Sequence, residues 1–164
     1  MTGVVTQSWD TAIKTQKGND ASACATFVQE GDAHRLVDMW VGRLEYPALR
    51  RKVLALAEEW QPHAVLIEDK ASGQSLIQDV RREASVPVVA ICPKGDKVTR
   101  LAQVCPMIEA GKVALPRYAS WLSAFEQELC AFPNGRHDDQ VDAFSQYLNW
   151  VRARQWQQAR LRRV

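Results

Sequence analysis

After about residue 42 the hydrophobic pattern of the chain changes its period, and that change leaves few folds open. Ahead of it, three apolar segments follow one another closely. They are Gly3–Asp10, where Val4 and Val5 lead to a polar end at Ser8-Trp9-Asp10; Ala21–Gln29; and His34–Val41, after a tight turn at Glu30-Gly31-Asp32. Strands so connected predict an antiparallel meander. Thr11–Asp20, with Lys14, Lys17, Gly18 and Asn19, predicts a turn-rich connection between the first two.

Beyond the change, Leu49, Val53, Leu56, Ala57 and Trp60 recur at helical spacing within Tyr46–Trp60, and Pro62 stops that helix. Ala64–Ile67 is a continuous apolar run ending in Glu68-Asp69, as a buried strand in a parallel arrangement would be. Gly73–Ala84 reads as a helix and Val86–Ile91 as another buried strand. Val98–Ala110 and Tyr118–Ala131 read as helices, with a short extended piece at Lys112–Leu115 between them. A last helix starts near Asp138 and runs through Trp150 or on to the C-terminus. A meander continued by right-handed crossovers onto the same sheet predicts an α/β fold with a mixed five-stranded sheet covered by helices.

At 164 residues, 46% of them hydrophobic, residues 1–164 are expected to form a single domain, since no repeat or linker divides them. The formal net charge is only +2, but no acid follows Asp142 while Arg152, Arg154, Arg160, Arg162 and Arg163 accumulate. A basic helical tail over about 152–164 fits a polyanion partner and equally a solvated end. Cys24, Cys92, Cys105 and Cys130 form no CxxC pair, which argues against a zinc site or disulfide framework and for a reducing cytoplasm. Met1–Trp9 lacks the features of a signal peptide, and no apolar run is long enough to span a membrane.

Acids stand at the ends of apolar elements: Asp10 after the first strand, Glu68 with Asp69 after the fourth, and Asp138, Asp139 and Asp142 at the start of the last helix. That helix carries an apolar stripe of Val141, Phe144, Leu148 and Val151, which Asp142 borders. Asp138 or Asn134 can cap the helix, but only one residue can be the cap, so capping does not explain all three acids. Strands lie about 4.8 Å apart, so acids ending the first and fourth strands converge if those strands are neighbours. Clustered carboxylates repel unless a cation neutralises them. Oxygen-only ligands suit Mg²⁺ or Mn²⁺, and two such ions suit phosphodiester cleavage.

Ser8-Trp9-Asp10-Thr11-Ala12 with Lys17-Gly18-Asn19-Asp20, Ile67 to Gly73 (IEDKASG) and Arg136 to Ala143 (RHDDQVDA) resemble, in order, the three acidic motifs of the phage large terminase nuclease domain. Lys94 to Arg100 (KGDKVTR) and Glu109 to Pro116 (EAGKVALP) are also similar to that family, so the resemblance covers nearly the whole chain. It implies an RNase H-like endonuclease that cuts double-stranded viral DNA during packaging, in the cytoplasm of a bacterial host. It also implies two bound Mg²⁺ or Mn²⁺ ions. Carried over by motif, the catalytic and metal-binding residues are Asp10, Glu68, Asp139 and Asp142; Asp69 is expected to orient Lys70 or a backbone amide, or to replace Glu68. The family further implies a terminase ATPase domain, small terminase and portal as partners. Large terminases carry an ATPase, yet no GxxxxGK[ST] loop occurs here, so no ATP-driven activity is expected. The competing expectations are a catalytically silent DNA-binding or docking module and a resolvase-type nuclease.

Lys94, Lys97 and Arg100 surround Gly95 on a loop entering a helix, where they would clamp DNA phosphates or simply be solvated. Trp60 fits core packing, and Trp150 and Trp156 fit packing better than stacking on nucleotides. His137 precedes the acidic helix and is a candidate partner for a carboxylate or a metal-bound water, while His34 and His63 give no signal.

Overall fold

The computed structural model describes residues 3–12, 21–70 and 73–161, with side chains along the last helix as far as Gln157. Most of the predicted turn-rich connection, Ala71-Ser72 of the second acidic motif, and the side chains of Arg160, Arg162 and Arg163 lie outside the described residues. The elements are β1 (Val4–Asp10), β2 (Ser22–Glu30), β3 (Ala33–Gly42), α1 (Tyr46–Trp60), β4 (Ala64–Glu68), α2 (Gln74–Glu83) and β5 (Val88–Ile91), followed by α3 (Lys97–Ala102), α4 (Cys105–Glu109), β6 (Val113–Ala114), α5 (Leu122–Ala131) and α6 (Asp139–Leu161). The sheet order is β5-β4-β1-β2-β3-β6. The meander β1–β2–β3 is antiparallel, while β4 joins β1, β5 joins β4 and β6 joins β3 in parallel.

Side-chain alternation divides the sheet into two faces. Trp9, Cys24, Val65 and Ile67 point one way and pack beneath Leu49, Val53, Leu56 and Ala57 of α1 and Leu76, Ile77 and Val80 of α2. Ala23, Ala25, Phe27, Ala64 and Leu66 point the other way, towards Phe144, Tyr147, Leu148 and Val151 of α6 and Phe125 of α5. The three alanines leave room for aromatic rings: Phe27 stacks on Tyr147 with centroids 4.0 Å apart. Each such fully buried apolar side chain contributes about 1.5–3 kcal/mol. The Tyr147 hydroxyl is tied to Nδ1 of buried His34 at 2.9 Å, and Gln7 Nε2 donates to the Leu56 carbonyl at 3.0 Å, pinning α1 to β1.

The mixed sheet under helices is the predicted one, with a sixth strand added. Lys112–Leu115 contributes β6, paired as His34↔Val113 and Arg35↔Ala114. So short a ladder between distant segments leaves no mark in hydrophobic period. The single helix expected over Val98–Ala110 is instead two, because Pro106 at the start of α4 has no N–H to continue a helix from α3. Helix α5 begins at Leu122 rather than Tyr118, leaving Tyr118 exposed. All four cysteines are free. No helix among the described residues is long and apolar enough to cross a membrane.

Candidate active site

Trp9 pairs with Ile67 in parallel register, so the next residue of each strand, Asp10 and Glu68, stand side by side at the carboxyl ends of β1 and β4. Such strand ends are where open α/β sheets build their sites. Trp9 and Ile67 face α1 and α2, so alternation turns Asp10 and Glu68 to the opposite face, under α6. Gln146 fixes α6 there by donating to Ser8 Oγ at 3.0 Å and to the Trp9 carbonyl at 3.2 Å. One turn earlier stands Asp142. Asp10, Glu68 and Asp142 are 8%, 5% and 6% exposed. They line a cleft of about 280 Å³ that continues past Ile91 and Pro93 to Trp150 and Arg152.

Burial pushes the Asp10 carboxyl well above the usual carboxylate range; Lys70 opposes this, and the charges of Asp142 and Glu68 add to it. Lys70 Nζ contacts Glu68 Oε2 and lies 3.8 Å from Asp10 Oδ1. On the other side, Lys97 Nζ lies 2.7 Å from both Asp138 Oδ2 and Asp142 Oδ2, and Arg100 Nη2 lies 3.2 Å from Asp142 Oδ1. Burial alone would lower the Lys97 ammonium, but its hydrogen bonds to the two aspartates outweigh that and raise it. The short helix α3 is set by Asp96, whose carboxylate accepts from Thr99 N at 2.7 Å. It is strapped to α6 by Asn149 Nδ2, which donates to the Arg100 carbonyl at 2.8 Å. Gly95, at φ +77°, makes the left-handed turn that brings its carbonyl 3.1 Å from Arg100 Nη1.

The expected site residues therefore separate. Asp10, Glu68 and Asp142 share the cleft, whereas Asp139 is not among its lining residues. Burial, then the charges of Glu128 and Asp138, raise the Asp139 carboxyl to about 6. Glu128 of α5, unremarked in the sequence, caps α6: its Oε1 accepts from Gln140 N at 2.7 Å and Val141 N at 3.1 Å, and its Oε2 from Gln140 Nε2 at 2.6 Å. Asp138 immediately precedes α6, its carbonyl accepting from Asp142 N at 2.8 Å while its side chain turns to Lys97. Asp69 hydrogen-bonds through its backbone N–H to the Ile91 carbonyl and does not line the cleft.

Of the expected DNA contacts, Lys94 is exposed on the cleft rim and pairs with no acid among the described residues, while Lys97 and Arg100 turn inward to Asp142. Trp150 is half-buried against the core with Arg154 stacked over its ring at 4.5 Å, whereas Trp156 is exposed. His137 is exposed as well.

The donor chemistry fits a hard divalent cation: three carboxylates converge in a cleft, and burial, with like charge adding to it, holds one of them protonated beyond its usual range. Among the described residues no three acidic, histidine or cysteine side chains stand close enough to share one ion as they are. Lys70, Lys97 and Arg100 supply the neutralising charge instead.

The sequence profile of the terminase RNaseH-like domain family matches residues 7–150. No curated protein matches in sequence. Among solved structures, the chain is similar to the large terminase nuclease of thermophilic phage G20c with bound magnesium, at TM-score 0.70 and 14% identity over 90% of this chain and 82% of that one. It is similar to the large terminase of another thermophilic bacteriophage at TM-score 0.68 and 11% identity, over 91% of this chain but 40% of the other, so it spans about two fifths of that protein. The manganese-soaked, inhibitor-bound terminase nuclease domain of human cytomegalovirus follows at TM-score 0.54 and 13% identity, over 89% of this chain and 82% of that one. At these identities the structural likeness is one of fold.

Proposed function

Because the chain belongs to the terminase RNaseH-like domain family, we propose that it is a Mg²⁺- or Mn²⁺-dependent endonuclease that cleaves double-stranded viral DNA during genome packaging. The observation that carries this reading is the convergence of buried Asp10, Glu68 and Asp142, from two parallel strand ends and a helix start, on one cleft. Two divalent ions held there would activate water and stabilise the leaving oxygen of a phosphodiester. Asp10, Glu68 and Asp142 would hold these ions, with Asp10 under the charge of both other acids. The structural neighbours of Asp139 favour a role at the start of α6 over a role as ligand.

The chain's own residues keep the acids in place. Gln146 holds α6 to β1, Glu128 fixes its first turn, and Arg100 orients the Asp142 carboxylate. The apolar lining from Ile91, Pro93 and Trp150 keeps water from the far wall of the cleft, and Lys94 on the rim faces the DNA backbone. The remaining partners are the ATPase part of a large terminase, the small terminase and the portal, in a bacterial host cytoplasm.

Supercoiled plasmid incubated with the protein and Mn²⁺ is expected to be nicked and linearised, and EDTA to stop it. Asp10→Asn, Glu68→Gln and Asp142→Asn each abolish cleavage, while Asp139→Asn retains most of it. Equal cleavage of linear duplex and four-way junction separates this enzyme from a resolvase. Absence of metal-dependent nicking at high protein concentration would leave a DNA-binding or docking module as the better account.

A further inference from the structure

The cleft acids of this protein already have partners, and those partners are held unequally. Lys70 sits against Glu68 and Asp10, Lys97 against Asp138 and Asp142, and Arg100 against Asp142. An ammonium hydrogen-bonded to a carboxylate oxygen occupies the place that a divalent ion, with bonds of roughly 2.0–2.6 Å to such oxygens, must take. The Lys70 and Lys97 side chains are 48% and 43% exposed, against 14% for Arg100. Arg100 is also gripped at both ends, its guanidinium by the Gly95 carbonyl and its backbone carbonyl by Asn149. A half-exposed ammonium on a flexible stem leaves its partner at little cost, whereas a planar guanidinium fixed at several points does not.

We propose that Lys70 and Lys97 are displaceable counter-ions of the metal site, which hold the acids in the metal-free protein and pass to DNA phosphates as divalent ions load, while Arg100 stays and positions Asp142. This rests on the nuclease reading above. It deepens that reading by coupling metal loading to DNA grip, and the coupling is reciprocal: DNA tightens metal by the factor by which metal tightens DNA.

Calorimetric titration of the whole chain with Mn²⁺, without DNA, is the first arm. The ammonium end of each pair is half-exposed, and screening there keeps the pair to about 1 kcal/mol, so Lys70→Met and Lys97→Met should each tighten Mn²⁺ binding by about fivefold. Lys94→Met removes the same charge from the cleft rim without freeing a carboxylate among the described residues, and should shift the affinity by less than about twofold, the field effect of a solvated charge. The second arm measures duplex affinity against salt, with Ca²⁺ or with EDTA. Two lysines moving onto phosphates should steepen the wild-type slope in Ca²⁺ by about 1.8, and the double variant should show one slope in both buffers.

A cooperative thermal melt in EDTA establishes that each variant folds. If Lys97→Met does not fold, Lys70→Met carries the comparison, because its ion pairs among the described residues are to the strand-end acids. Wild-type protein that binds Mn²⁺ while the Lys70 and Lys97 variants bind no tighter than Lys94→Met would overturn this proposal and leave the nuclease standing. Wild-type protein that binds no Mn²⁺ at millimolar concentration, with or without duplex, would remove both.

Discussion

Asp139→Asn tests most sharply whether the third acidic motif divides as its geometry indicates. Asp139 stands at the start of α6 beside the Glu128 carboxylate, which the backbone N–H groups of Gln140 and Val141 already hold. Burial and that neighbour raise its carboxyl from 3.8 to about 6. The folded chain therefore retains a proton that the unfolded chain gives up, and ionisation weighs against the fold. The stability contribution is complete below about pH 4 and is lost as pH rises through about 6. Two pKa units correspond to at most ~3 kcal/mol; for a group this accessible, solvent screening reduces that to about 1 kcal/mol. Asparagine carries no charge at any pH. In EDTA the variant should match wild type at pH 4 and exceed it by about 1 kcal/mol at pH 8, or about 2–4 °C in melting temperature. Urea unfolding at the two pH values measures both. A variant less stable than wild type at pH 8 would refute the reasoning, since it would mean that the ionised carboxylate is held by a cation or by the helix terminus.

Asp10→Asn should keep the fold and raise the metal-free melting temperature more at pH 8 than at pH 5, the same sign for the same cause, and a calorimetric scan at both pH values checks it. The variant should also lose most of the rise in melting temperature that Mn²⁺ gives wild type. Glu128→Ala removes the cap of α6 and should cost about 1–2 kcal/mol in urea unfolding, with Glu128→Gln recovering part of the loss. No measurable loss would place the start of α6 under other control. Tyr147→Phe leaves buried His34 without its Nδ1 partner while Nε2 has none among the described residues, a loss of about 1 kcal/mol in denaturant unfolding with duplex affinity unchanged.

The fold was legible where a single element carried its own signal. Apolar runs ending in Asp10 and Glu68 announced strands whose polar ends meet, and their parallel register brings the two acids together. On α6, Asp142, Gln146, Asn149 and Ala153 recur at spacings of four, three and four, and all line the cleft. Asp139 falls three residues before Asp142 and extends that same row, so periodicity could not separate the two acids. What separates them is Glu128, which belongs to another helix and whose proximity only the fold creates. For the same reason the inward ion pairs of Lys97 and Arg100 leave no mark in sequence: a basic loop looks solvated until α3 is laid against α6. The break between α3 and α4 was legible in Pro106, but the apolar residues on either side of it masked the interruption.

The unbroken course of α6, Asp139–Leu161, gives the cleft a mechanical property. From Val141 to Val151 the helix is clamped to the sheet by its buried apolar stripe and by Gln146. At 1.5 Å per residue, the ten residues from Val151 on to Leu161 project about 15 Å beyond that clamp, while Asp142 lies about 13 Å inside it. A sideways force at the far end bends the projecting arm before it turns the clamped part. Whatever grips the far end can load and unload it while the carboxylate stays in register with β1 and β4.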